Sequence, residues 1–268
     1  MQSKSKLPIS VFIIAKNEED RIIHTINSVK DWAQEVIVID SGSDDKTVKI
    51  SDELGAKVVF HEWKGYGPQK IYGETLCSED WLLNLDADES VSEKLRDELF
   101  ELFEEPELIK YHAYRLRIKI QGRFADKPGR FAPDNEPIRL YNKNHAGFKD
   151  STVHDSVTLN DPKAKAGILK NIVAHRCFRS FSHAVNKINF YTTMQAEDLV
   201  KRKKIPSSLR IIVEPFFTFF KAYFLRRYFL LGIDGFIESI IYVFARTLRL
   251  AKARELYKAK LASDGKNN

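Results

Sequence analysis

The chain has 268 residues, 43% hydrophobic and 30% charged, a balance that excludes global disorder, collagen-like and low-complexity classes and leaves ample length to bury a core. Two cysteines, Cys77 and Cys177, show no zinc-ligand spacing and exclude a disulfide framework, which fits a reducing compartment. The net charge of +6 is uneven: Lys201 to Asn268 carries +10 and the first 200 residues carry −4, so the basic pI is no sign of a nucleic-acid partner. The polar start, Met1 to Pro8, lacks the apolar segment of a secretory signal, and a cytoplasmic location is expected.

In chain order, Ile9 to Ala15 is an apolar, β-branched run that reads as a buried strand ending in Lys16, Asn17, Glu18 and Glu19. Ile22, Ile23, Ile26 and Val29 then recur at helical spacing, and Val36 to Ile39 is a second buried strand closed by Asp40. Turn chemistry from Ser41 to Asp45 leads to a helix from Lys46 to Leu54, stopped by Gly55, and to a third strand from Lys57 to Phe60. Gly65 to Pro68 opens a helix running to Cys77, and Trp81 to Leu85 is a fourth strand, which delivers Asp86, Ala87, Asp88 and Glu89. Ser90 and Glu93 have capping-box spacing ahead of a helix with one apolar face, formed by Leu95, Leu99, Leu102 and Phe103. Strands alternating with helices predict an α/β fold with ligands at the carboxyl ends of the strands.

After Glu105 the period changes. Leu116, Ile118 and Ile120 alternate with Arg115, Arg117 and Lys119, as in a strand with one wet face. Residues 121 to 150 read as a loop over a site, strand-like runs return at Ile138 to Tyr141, Ser151 to Leu159 and Ile168 to Ala174, and the chain is helical from Ser180 onward. Three regions are expected: a first half over 1–105 and a second over 106–178 that together make one domain, and a helical extension over 179–268.

Asp86 and Asp88 flank a small residue, so an extended backbone would send both carboxylates to one side. At roughly 5 Å they would repel by about 3 kcal/mol at an effective dielectric near 20, and a divalent cation such as Mn2+ or Mg2+ would relieve that repulsion. A helix N-terminus dressed with acids is the alternative reading.

These residues carry a family likeness. The strand ending in Ala15-Lys16-Asn17-Glu18, the one ending in Asp40-Ser41-Gly42-Ser43-Asp44-Asp45, and WLLNLDADE at 81–89 together resemble the family 2 glycosyltransferases of GT-A fold. With PDNEPIRLY at 133–141, VHDSV at 153–157 and AH at 174–175, the chain resembles more narrowly the lipopolysaccharide core glycosyltransferases of the WaaE/KdtX type. The resemblance implies a GT-A (Rossmann-like) nucleotide-diphospho-sugar transferase fold with a mixed central sheet, and inverting sugar transfer from a nucleoside diphosphate sugar. It places Asp40, Ala15, Lys16, Asn17 and Glu18 around the nucleoside, Lys70 near the base or phosphates, Asp86 at the ribose and metal, and Asp88 on the metal.

Departure of the diphosphate needs positive charge, for which the metal, Lys70 and the loop residues Arg123 and Arg130 are candidates, and the incoming hydroxyl needs a base. Asp155 is the expected base, standing where the narrower family has Glu. His154 is expected to bind the donor, with a packed structural histidine as the alternative. Arg139 and Asp134 are expected at the acceptor, with ion pairing or turn chemistry as their alternatives. In the tail, Phe216, Phe217, Phe219, Phe220, Tyr223, Phe224, Tyr228 and Phe229 lie among Lys and Arg. They suggest helices lying in an anionic membrane interface, with charges too frequent for a spanning helix. Packing on the catalytic domain or on a second subunit is the other reading.

Overall fold

The computed structural model describes residues 5–122, 125–130, 132–149, 156–176 and 179–264. They form two compact units, one built from 1–121 with 134–177 and the other from 122–133 with 178–268.

In the first unit β1 (Leu7–Ala15), β2 (Ala33–Asp40), β3 (Lys57–Phe60) and β4 (Trp81–Asp86) are parallel, in the spatial order β3-β2-β1-β4. Strands β8 (Ile138–Asn142) and β6 (Ala113–Ile120) continue the sheet, β8 antiparallel to both of its neighbours. Next come β11 (Gly167–His175), parallel to β6, and the short β5 (Glu89–Val91), antiparallel to β11. A two-residue β7 (Asp134–Asn135) pairs with β6. The expected mixed α/β sheet is therefore present.

Period-2 alternation places this sheet between two apolar layers. From β1, Leu7, Ile9, Val11, Ile13 and Ala15 join one core with Ile22 and Ile26 of α1 (Ile22–Asn27) and Leu95 and Leu99 of α4 (Glu93–Glu104). Phe12 and Ile14 join the other core, with Ile37, Ile39 and the small sheet of β9 (Ala146–Phe148) and β10 (Val157–Leu159). The helix α2 (Thr47–Glu53) precedes β3, and α3 (Tyr66–Leu76) precedes β4. At Gly73 of α3 an added Cβ would stand 2.7 Å from the Phe12 ring and 3.0 Å from Ile39, so only glycine permits this approach of helix to sheet.

One local expectation is corrected. The N-cap of α4 is Ser92, whose side chain accepts from Leu95 N at 3.3 Å. Ser90 is committed instead to β5, because its partner on β11 lies 84 residues away and leaves no trace in local spacing. The strand expected from Ser151 is described only from Val157; residues 150–155 lie outside the described residues, and with them His154 and Asp155.

The second unit contains α5 (Phe181–Lys201), α6 (Ser208–Phe220), a π-helical turn at Lys221–Leu225, a 3-10 turn at Tyr228–Leu231 and α7 (Gly232–Asp264). Tyr228–Ser263 is long and apolar enough to cross a membrane by length and composition, with mean hydropathy 1.6 in its most apolar window. This corrects the expectation that charges interrupt the tail too often. Between Arg227 and Arg246 the interruptions are Asp234 and Glu238 alone, and one continuous helix carries both.

Candidate active site

The loop after β1 and the turn after β2 are tied together side by side, as the parallel register of Ala15 with Asp40 requires. Asn17 takes a positive φ of 57°, its N donates to Ser43 Oγ at 2.9 Å, and its Oδ1 accepts from Asp44 N at 3.0 Å. Glu18 N donates to Thr47 Oγ1 at 2.7 Å. The buried Asp40 accepts from Gly42 N and Ser43 N at 2.8 and 2.9 Å, so its carboxylate holds the turn. Ala15 is buried and Lys16 is exposed beside them.

Strand β4 ends at Asp86, and Ala87 and Asp88 turn away from it, so the extended geometry expected for the two carboxylates does not hold. Each acid meets its own cations. Lys70, fully buried on α3, donates to Asp86 Oδ1 at 2.9 Å, and Arg139 of β8 donates to Asp86 Oδ2 at 2.8 Å, to Glu89 Oε1 at 3.1 Å and to Asn84 Oδ1. Arg21 donates to Asp88 Oδ2 at 3.0 Å and to the Arg176 carbonyl at 2.9 Å, while gripping both oxygens of Glu18 at 2.7 Å. The protein's own side chains therefore relieve the repulsion for which a metal was expected.

These partners set the charge states. Burial raises the pKa of Asp86, but Arg139 and Lys70 outweigh it and hold the carboxyl far below the usual range. Burial likewise works against ionisation of Asp88, and His175 with Arg21 overcomes it. Glu89, 1% exposed, is pushed up by burial despite Arg139. Burial lowers the pKa of His175, but hydrogen bonding and attraction to Asp88 raise it on balance.

Among the described residues of this site, the donor set admits a divalent cation between His175 and Asp88. His175 Nε2 and Asp88 Oδ1 lie 3.4 Å apart, a separation that two ligands of one ion can keep, and Oδ2 is already taken by Arg21. Among the described residues no three His, Cys, Asp or Glu side chains gather to hold an ion. The other positions would fall to substrate phosphate and water, as hard cations commonly arrange. Both oxygens of Asp86, the other expected ligand, are engaged by Lys70 and Arg139.

The remaining expected residues scatter. Arg139 is buried and faces the acids of this site, and Asp134 pairs with Arg117 at 3.3 Å at a partly exposed position. Arg130 belongs to the second unit, and Arg123 lies outside the described residues. Arg21 and Glu89 are not among the expected site residues, and His175 enters the sequence reading only through the AH mark at 174–175. The i,i+3 spacing of Glu18 and Arg21 was a legible signal; the contacts of Glu89 and His175 arise from the β5–β11 pairing, which was not.

Residues 10–159 match Glycosyl transferase family 2. An uncharacterized glycosyltransferase of Rickettsia bellii (strain RML369-C) is 50% identical over 92% of this chain and 86% of its own. The lipopolysaccharide core biosynthesis glycosyltransferase LpsC of Rhizobium meliloti is 28% identical over 94% of each chain. The solved glucosyl-3-phosphoglycerate synthase of Mycobacterium tuberculosis, in complex with Mn2+, UDP and glucosyl-3-phosphoglycerate, aligns over 42% of this chain and 44% of its own, with 26% identity and a TM-score of 0.35. The family match over a region that holds the parallel β3-β2-β1-β4 half-sheet and the acidic turn after β4 makes this chain a glycosyltransferase. The chain belongs to glycosyl transferase family 2.

Proposed function

We propose that this glycosyltransferase moves a hexose, with UDP-glucose the favoured donor, to a lipopolysaccharide inner-core acceptor, inverting the anomeric centre with the help of Mn2+ or Mg2+. The observation that carries this reading is the meeting of Asp88 with Arg21 and His175 beside the nucleoside-side loops after β1 and β2. The LpsC relative, named for lipopolysaccharide core synthesis, supports the acceptor class.

In this reading Asp40 with Ala15, Lys16, Asn17 and Glu18 receives the nucleoside, and Asp86, oriented by Lys70 and Arg139, contacts the ribose. Asp88 and His175 would hold the cation, which would supply positive charge to the departing diphosphate. Arg21 fixes the Asp88 rotamer by occupying its far oxygen. Asp155 is the base that takes the acceptor proton, and His154 is a donor-binding residue. Arg139 and Asp134 remain the proposed acceptor-side residues, Arg139 acting from within the acidic network.

The protein works on the inner face of the cytoplasmic membrane, where such a glycolipid is exposed. Transfer to a polyprenyl phosphate is a second reading, favoured by the length and hydropathy of Tyr228–Ser263. The test is a thermal-shift panel of nucleotide sugars with and without Mn2+. UDP-glucose should raise the melting temperature, more with the metal than without, because stabilisation grows with the logarithm of ligand over Kd. A panel in which no nucleotide sugar shifts the transition sinks the reading.

A further inference from the structure

The second unit holds a cluster of cations that the sugar-transfer site does not use. On α6, Arg210 Nε donates to Glu214 Oε2 at 2.9 Å; from α7, Arg246 donates to Glu214 Oε1 at 2.8 Å, and Arg249 approaches the same oxygen at 3.9 Å. Three guanidinium groups thus share one carboxylate, leaving a net charge of +2 and many more N–H donors than that carboxylate can accept. Burial and the neighbouring Arg246 lower the pKa of Arg249, a sign of cations crowded together.

On α6 the residues flanking this cluster are apolar and exposed: Leu209, Ile212, Val213, Phe216, Phe217 and Phe220, with Phe216 75% exposed. At helical spacing these six fall on one stripe, with Arg210 and Glu214 at its edge and the buried Thr218 on the opposite side. The apolar surface continues through Phe224, Leu225, Phe229 and Leu230 to Ile233, and only 17% of the most apolar window of Tyr228–Ser263 is buried. An apolar stripe rimmed by guanidinium groups, in a segment of net charge +10, complements a surface with an apolar interior and anionic phosphates at its edge.

We propose that Arg210, Arg246 and Arg249 form a phosphate-headgroup site through which the exposed face of α6 seats in an anionic bilayer, the helix lying in the membrane plane. This deepens the membrane part of the proposed function, and it is read by binding alone, without turnover.

The experiment is sedimentation of the full chain with vesicles of equal parts phosphatidylglycerol and phosphatidylcholine, against phosphatidylcholine alone. Arg246→Gln with Arg249→Gln should weaken anionic-vesicle binding about thirtyfold, as expected for the loss of two positive charges at an anionic surface. The control pair Lys258→Gln with Lys260→Gln begins about 14 Å further along α7, beyond a Debye length, and should cost less than about threefold. Phe216→Ser with Phe217→Ser should weaken binding to both vesicles. Glu214→Gln, which frees the guanidinium groups, should tighten binding to anionic vesicles and leave binding to phosphatidylcholine alone unchanged, whereas misfolding would raise sedimentation with both. Equal losses in the two charge pairs, full binding by the serine variant, or no gain from Glu214→Gln overturns the site. So does a response to inorganic phosphate in the absence of vesicle binding, which would indicate a soluble ligand. Vesicle binding that fails while the chain forms a stable dimer assigns the face to a second copy and likewise overturns the proposal.

Discussion

Arg139→Met probes the acidic network directly. The side chain is 10% exposed and joins Asp86 and Glu89, so its removal strands a carboxylate that is 1% exposed. Removing one partner of a buried ion pair costs about 3–5 kcal/mol. Lys70 still serves Asp86, and Glu89 can take up a proton, so the lower end applies, about 3 kcal/mol. For a protein of this size that is a fall of about 6–12 °C in the melting transition. The pKa of Glu89 is already raised in the folded state, and losing Arg139 raises it further. A group with a raised folded pKa contributes stability that is lost as pH rises, so the deficit of the variant should grow from weakly acidic pH, above the unfolded carboxyl value, towards neutrality. Near-UV circular dichroism melts over that range measure it, and adding Glu89→Gln should recover part of the loss by removing the stranded charge. A deficit under about 1 kcal/mol, or a double variant no more stable than the single, refutes the reasoning.

Asp88→Asn should lower Mn2+-dependent transfer at least about a hundredfold while Arg21 keeps its bidentate hold on Glu18; turnover near the parent rate would remove the cation from Asp88. Asp155→Asn should reduce kcat about 10²- to 10⁴-fold with little change in donor KM, and steady-state kinetics showing equal losses in both would assign it to binding. Gly73→Ala should destabilise the first unit by about 1–3 kcal/mol in urea melts, because the new methyl meets the Phe12 ring and Ile39; an unchanged midpoint would mean that α3 can shift freely.

What could be read from the chain was whatever depends on neighbours in sequence. The apolar runs of β1, β2 and β4 and the apolar stripe of α4 are local patterns, and they placed the half-sheet and its acidic turn. What could not be read depends on distant partners. Asp86 is matched to Lys70 and Arg139 across 16 and 53 residues, and Asp88 to Arg21 across 67, so two acids that look mutually repulsive in sequence are separately neutralised in space. The edge pairing of β5 with β11 likewise moved the helix cap from Ser90 to Ser92 and brought His175 to Asp88, although neither residue announces it.

That edge pairing also sets an order of events during synthesis. The Arg21 guanidinium reaches the carbonyl of Arg176, 155 residues downstream, and His175 lies on the last strand of the sheet in chain order. A nascent chain arrested on the ribosome before β11 emerges holds Asp88 with neither the imidazole nor that carbonyl to complete its surroundings. Closure across so long a stretch of chain is entropically costly and therefore late. The half-sheet can be laid down as translation proceeds, whereas the surroundings of Asp88 are complete only once the final strand is in place.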